Sequence, residues 1–364
     1  MNKIKKYIDC YIPTETCNFR CHYCYIVNYG KFNQKLFKLT HSPEEIRKCL
    51  SVERLGGECL INLCAGGETL LSEDIIPLAK ALLEEGHYVM IVTNGSLTNR
   101  FEEIKQFPSE LLKHLFFKFS FHYLELKRLN LLNTYFNNIN LMKNVGVSYT
   151  VEITPNDELI PYIDEIKKIS MEKLGALPHL TIGRKDTDDI PILTNLNEKE
   201  YYKTWSTFNS DLFNYKKAIF GRKVKEFCYA GKWSYYLNIE TGSLKQCYLG
   251  CEIDNIYKNP EKKLNELPVG CNCQEPHCYN AHSWLALGDV PELSNDVTYA
   301  KLRNRKCLDG SEWLNEDMKS FMNTKLYETN NELNEKQKKQ VNKKVHKIYL
   351  ENKIRNKIKK LLKK

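Results

Sequence analysis

The first half of this chain alternates short β-rich runs with amphipathic helical stretches, and that alternation restricts it to a few architectures. Candidate strands fall at 7–12, 60–64, 88–93, 116–121, 148–154 and 180–183. The segments between them carry helix punctuation. Ser42-Pro43-Glu44-Glu45 supplies an N-cap, a first-turn proline and first-turn acids. Ser72-Glu73-Asp74 opens a helix that closes at Gly86. Further helices over 130–145 and 157–174 end at Gly146 and Gly175. Strands alternating with helices build a parallel sheet. Six such units predict a partial (β/α)6 TIM-like barrel over 1–185, and spacing leaves an open doubly wound sheet as the alternative.

Beyond residue 185 the pattern changes. Residues 186–227 are polar and aromatic and read as a helical connection. Seven cysteines lie between Cys228 and Cys307, with several turns and few helical signals. That composition predicts a small metal-stabilised module over 228–310, followed by a helical tail over 311–364. The tail is strongly basic from residue 336. Residues 336–364 hold 13 Lys or Arg and one acid, leaving 41 basic and 44 acidic residues elsewhere. The net charge of +9 therefore belongs to the tail. Val341, Val345 and Ile348 form one apolar stripe there, and Leu350, Ile354, Ile358 and Leu361 form another. Such a helix can lie on an anionic membrane surface, dock on the body, or contact nucleic acid. No aromatic-rich basic patch supports the last.

At 364 residues the chain can bury a full core, and 42% apolar with 27% charged residues is ordinary for a globular protein. No run of 18 apolar residues is present, and no apolar segment precedes the first cysteine. The expected setting is a reducing cytoplasm, possible inner-membrane contact through the tail aside. There the 14 cysteines serve as thiols or metal ligands.

Glu15 to Tyr25 reads ETCNFRCHYCY and places Cys17, Cys21 and Cys24 within eight residues. Three thiols are too few for a four-coordinate structural zinc site and an odd number for disulfides. They suit a 4Fe–4S cluster that keeps one iron open. The triplet follows the first strand, on the barrel face where active sites assemble.

Cys17-x3-Cys21-x2-Cys24, with Tyr23 before the last cysteine, resembles the signature of the radical S-adenosylmethionine (radical SAM) enzymes, and the resemblance runs through roughly 8–185. Gly66-Gly67-Glu68 is similar to the family's GGE motif, which binds the methionyl ammonium. Thr93-Asn94-Gly95 is similar to its TNG turn. Ser120 falls where members place a ribose contact, and Arg184 where they place a carboxylate contact. The resemblance implies an open iron that chelates S-adenosylmethionine. One electron, from a donor such as flavodoxin or ferredoxin, then yields a 5′-deoxyadenosyl radical that takes a substrate hydrogen. No substrate-facing acid, base or radical relay is assigned.

Cys228-x13-Gly242-x4-Cys247 is similar to the opening of the SPASM and twitch extensions of that family. The full pattern continues Cys-x2-Cys-x5-Cys-x3-Cys, whereas here Cys271-x-Cys273-x4-Cys278 follows. Cys228, Cys247, Cys271, Cys273 and Cys278 are the candidate ligands of one auxiliary 4Fe–4S cluster, and the seven cysteines leave room for a second. The alternative is zinc on Cys271, Cys273, Cys278 and His277 or His282. The extension implies oxidative modification of a ribosomally made peptide or protein, or else of a sugar, aminocyclitol or lipid-linked glycan. A third possibility is a non-catalytic metal scaffold. Only 16 residues precede Cys17, so a leader-peptide-binding domain is not expected there.

Overall fold

The computed structural model describes residues 2–28, 30–185 and 191–361, leaving out the side chains of Tyr25 and 356–361. Residues 186–190, at the start of the expected connection, and the side chains of Ile358 and Leu361 lie outside the described residues.

Six parallel strands follow the chain order: β1 (Lys6–Ile12), β2 (Cys59–Ala65), β3 (Tyr88–Thr93), β4 (Leu115–Ser120), β5 (Ser148–Ile153) and β6 (His179–Leu180). From β1 to β6 each strand pairs with the next, so the order does not reverse among these six. A doubly wound sheet requires such a reversal. The architecture is thus the expected partial barrel. The connecting helices include α1 (Pro43–Cys49), α2 (Ile75–Glu84), α3 (Thr98–Ile104), α4 (Leu132–Asn144) and α5 (Ile163–Leu174). Ser42 caps α1 in a full capping box with Glu45. Asp74 precedes α2 without capping it, and its Oδ2 instead accepts the Leu39 N–H at 2.7 Å.

Alternation divides the strand side chains between two cores. Ile8, Cys10, Leu63, Ile91, Phe117 and Val151 face the helices. Each such fully buried aliphatic or aromatic side chain contributes about 1.5–3 kcal/mol. Tyr7, Leu60, Tyr88, Met90 and Phe116 face the other way. Against them pack α8 (Tyr299–Arg303) and α9 (Glu316–Asn323), which follow α6 (Glu198–Trp205) and α7 (Asp211–Ile219) in the chain. Met318, Phe321 and Met322 are fully buried there, so residues 311–328, expected as tail, are part of the body.

The cysteine-rich segment also joins the sheet. Its β7 (Ser234–Asn238) runs parallel to β1, and β8 (Ser243–Lys245) and β9 (Glu252–Asn255) continue antiparallel. Gly242 turns the β7–β8 hairpin at φ +71°, with Tyr257 so close that a Cβ would lie 2.4 Å from its ring. The last helix, α10 (Glu335–Leu361), docks through its first half. Val345 is fully buried and the Tyr349 hydroxyl donates to Gln246 Oε1 at 3.2 Å. Leu350 and Ile354 remain exposed. No helix among the described residues is long and apolar enough to cross a membrane.

Candidate active site

A cavity of about 440 Å³ opens at the carboxyl ends of β1 to β6. Cys17, Cys21 and Cys24 line one wall together with Gly66, Gly67, Glu68, Asn94 and Ser120. Tyr23 and Arg184 line it as well.

The cysteine loop is held from several sides. Gly66, Gly67 and Glu68 donate their backbone N–H groups to Ile12 O, Thr14 O and Thr16 O at 3.3, 2.7 and 2.9 Å. The β2 end therefore runs alongside the loop as a short ladder. A Cβ on Gly67 would lie 1.9 Å from Thr16 O, so this approach needs glycine. Arg20 donates to Cys17 O at 2.6 Å and Phe19 O at 2.7 Å, and its backbone N–H donates to Glu125 Oε2 at 3.0 Å. Tyr23 shares a 2.5 Å hydrogen bond with His122 Nδ1. Burial lowers the His122 pKa to about 4, leaving the ring neutral.

Glu68 is only 3% exposed. Its Oε1 accepts from Leu70 N–H at 3.0 Å and Thr93 Oγ1 at 2.7 Å, and its Oε2 accepts from Asn94 N–H at 2.7 Å. The carboxylate thus ties the β2 end to the β3 turn, and Oε2 keeps acceptor capacity for one further donor. Burial raises its pKa against these three donors. Asn94 continues the brace by donating to Asn18 Oδ1 at 2.8 Å and accepting from Ser96. Gly95, at φ +73°, sits where a Cβ would strike the Tyr135 ring at 2.7 Å.

Beneath the cavity lies a polar layer inside the barrel. Asn62 Nδ2 donates to Asp9 Oδ1 at 2.7 Å, Lys118 sits 3.3 Å from Glu152, and Arg303 closes on the other Glu152 oxygen. Burial, with Arg303 adding to it, brings the Lys118 pKa down to about 8. Removing Arg303 would leave Glu152 buried with one partner fewer, a change that typically costs about 3–5 kcal/mol. Lys118 also lines the cavity. Sequence reading passed over it, although a lysine within the apolar strand FFKFS, in register with Ser120, was the available signal.

A second, smaller cavity of about 60 Å³ gathers Cys228, Cys247, Cys273 and Cys278 among Val224, Val269, Trp284, Leu285 and Val290. Cys271 is not among them. It is exposed, and its backbone N–H donates to Asn342 Oδ1 at 2.9 Å. Cys251 faces Gln246 instead, and Cys307 is buried with its thiol on Leu174 O at 3.2 Å. Of the histidines weighed for zinc, His277 borders this cavity and stacks near Phe220. The two cavities share Tyr279 and Asn280 as a common wall.

Among the described residues no three His, Cys, Asp or Glu side chains converge on a single-ion position. The cysteines instead share cavity walls, three on the large cavity and four around the small one. Both donor sets are all-thiol, which suits iron–sulfur clusters. Burial pushes the Cys17 and Cys247 thiols up to about 11 and 12 respectively, so these sulfurs stay protonated until a cationic centre takes them.

An 82-residue stretch, 22% of this chain, is 30% identical to a Methanocaldococcus jannaschii protein assigned as a glycyl-radical enzyme activating enzyme, and spans 29% of that protein. Among solved structures, Streptococcus suis SuiB is 15% identical at TM-score 0.47, over 70% of this chain and 64% of SuiB. Native anSMEcpe with bound AdoMet and Cp18Cys peptide is 17% identical at TM-score 0.47, over 70% of this chain and 78% of that one. Residues 11–159 match the radical SAM superfamily, and the chain thus carries a radical SAM domain, whose cofactors are a 4Fe–4S cluster and S-adenosylmethionine.

Proposed function

We propose that this protein is a radical SAM enzyme that oxidatively modifies a ribosomally made peptide or protein. The carrying observation is the convergence of Cys17, Cys21 and Cys24 with Gly66, Gly67, Glu68 and Asn94 on one cavity. When bound, the cluster and S-adenosylmethionine supply one-electron sulfonium cleavage and a radical able to take a substrate hydrogen atom. Cys17, Cys21 and Cys24 would hold that cluster. The Gly66-Gly67 backbone and the free capacity of Glu68 Oε2 would receive the methionyl ammonium. Ser120 and Arg184 would meet the ribose and carboxylate.

The second part of the reading is an auxiliary 4Fe–4S cluster on Cys228, Cys247, Cys273 and Cys278, a set without Cys271. Four thiols in a small apolar cavity leave no position open to substrate. The wall shared through Tyr279 and Asn280 supports a role as acceptor for the electron that an oxidised product must give up.

The test is anaerobic incubation of the reduced, reconstituted protein with S-adenosylmethionine, followed by assay of 5′-deoxyadenosine. Its formation is expected. A protein with an intact cluster that forms none would be a scaffold. Candidate peptides added to the same mixture should lose two hydrogens. Turnover of glycans in their place would move the substrate to the carbohydrate class.

A further inference from the structure

The four-thiol cavity has a second neighbour. A groove of about 750 Å³ lies between the cysteine-rich segment and α10. Cys247, Leu249 and Cys273 line it from one side, and His346, Leu350 and Lys353 from the other. Cys247 and Cys273 also line the four-thiol cavity, which in turn shares Tyr279 and Asn280 with the active-site cavity. The four thiols therefore stand between the active site and this groove, and two of them form part of its wall.

The groove has the surface of an interface. Among the described residues six large apolar side chains are exposed, and four of them, Tyr248, Leu249, Leu350 and Ile354, belong to the two segments that flank it. Such clustering marks an interaction site. Positive charge surrounds the patch. Residues 341–355 carry five Lys or Arg and one acid, Glu351, and the sequence beyond adds five lysines and no acid. Glu275 is the one carboxylate among the described lining residues. Lys343, Lys347, Leu350 and Ile354 recur at i, i+4, i+7 and i+11, so cations and apolar side chains share one stripe of α10. A lipid surface needs a continuous apolar face beside the cations. A mixed patch suits an acidic protein that docks briefly.

We propose that this groove is the docking surface of a small acidic one-electron carrier protein, which removes the electron held at the four-thiol site. This rests on reading that site as an auxiliary 4Fe–4S cluster. An oxidised product leaves one electron there in each turnover, and the site must be emptied before the next. In the step itself one electron leaves the site, the carrier's cofactor gains it, and no bond forms or breaks. The cations of α10 steer the carrier. Leu249 and Leu350 supply apolar contact, and Cys247 and Cys273 keep the transfer distance short because they belong to the groove wall.

The test uses the full chain with Cys17→Ala/Cys21→Ala/Cys24→Ala, reconstituted and reduced anaerobically, so that the four-thiol site holds the remaining iron. It is mixed with oxidised flavodoxin, an acidic flavoprotein, or with cytochrome c, a basic carrier, and reduction of the carrier is followed by absorbance. Flavodoxin reduction is expected to slow roughly tenfold from low to high salt, and cytochrome c reduction to hold or quicken. Adding Lys343→Glu/Lys347→Glu/Lys353→Glu should slow flavodoxin reduction roughly tenfold at low salt and leave the iron content unchanged. With the three cysteines intact, the same lysine changes should leave 5′-deoxyadenosine formation driven by dithionite unchanged. Leu249→Ser should weaken flavodoxin binding without altering its salt dependence. Equal salt dependence for the two carriers, or indifference to the lysine changes, would overturn the docking surface. So would lysine-dependent sedimentation with phosphatidylglycerol–phosphatidylcholine vesicles alongside unchanged flavodoxin rates, because the cations would then serve a membrane. A triple-cysteine variant that keeps no iron would sink the cluster reading. Salt-dependent flavodoxin binding to that same chain, followed by flavin fluorescence, would still support the docking surface, and its absence would overturn that as well.

Discussion

The two cysteine sites of this chain are built on opposite terms. The first sets three thiols on the wall of a cavity of about 440 Å³, beside Glu68, Asn94, Ser120 and Lys118. The second gathers four thiols around about 60 Å³ of largely apolar space. Polar groups and volume accompany the site with a thiol missing, and aliphatic packing accompanies the complete one. On the proposed reading, the difference separates a centre that receives a ligand from one that holds a cluster and passes charge. Both hang from β1, whose neighbours are β2 on one side and β7 on the other.

The largest effect that would sharpen this contrast is the triple variant Cys17→Ala/Cys21→Ala/Cys24→Ala. It should abolish 5′-deoxyadenosine formation and retain about four irons and four sulfides, one 4Fe–4S cluster. About eight retained irons would require a second auxiliary cluster. A folded variant that held zinc and no iron would make the smaller cavity a structural zinc site.

Within the smaller cavity the comparison turns on neighbours in sequence. Cys273→Ala should remove the iron that the triple variant retains, whereas Cys271→Ala should leave it in place. Equal losses from both would return Cys271 to the ligand set and overturn the four-cysteine assignment.

The open site can be broken without touching a thiol. Gly67→Ala drives a methyl group into Thr16 O, with 1.9 Å available. The ladder that aligns the cysteine loop must then separate. A misplacement of about 1 Å near reacting groups costs roughly a hundredfold in rate. Stability should fall by about 1–3 kcal/mol, as for other overpacked sites. Unchanged kinetics would mean that the loop is not held by this ladder.

How much of this was legible beforehand follows from the range of each interaction. The expected strands at 88–93 and 148–154 coincide with β3 and β5 to within a residue, because local alternation and turn residues set them. The last one, expected at 180–183, pairs only over His179–Leu180, at the edge of the sheet, where no further strand among the described residues completes it. The cysteine loop, Gly66-Gly67 and Asn94 were legible because each motif is contiguous. What could not be read was long-range. Nothing local to Ser234–Asn238 tells that it pairs with β1, and nothing in 311–328 tells that it fills the barrel. Lys216 lies in the segment read only as a polar, aromatic connection, and only the fold turns it toward the cavity.

The polar layer under the open site offers a pH test. Burial raises Asp9 from 3.8 to about 6 against the Asn62 hydrogen bond. The folded chain therefore holds this proton more tightly than the unfolded one, and stability falls as pH rises from about 4 through 6. A shift of two units corresponds to about 3 kcal/mol. Asp9→Asn keeps an acceptor for Asn62 and cannot ionise. Its denaturation midpoint should change less with pH over that window than the wild type's, and parallel profiles would remove Asp9 as the source.

The smallest expected effect is at Tyr23. Its hydroxyl meets a neutral His122 Nδ1, so Tyr23→Phe loses one hydrogen bond and leaves one ring nitrogen without its partner. The cost should be about 1 kcal/mol in stability, with iron content unchanged. A loss of iron as well would mean that this bond orients the loop carrying Cys21 and Cys24 rather than merely stabilising it. The open site would then depend on barrel contacts for its ligand geometry. The four-cysteine site, whose Cys228 exchanges backbone hydrogen bonds with Gly270 at 3.2 and 3.0 Å, would carry its geometry within the cysteine-rich segment itself.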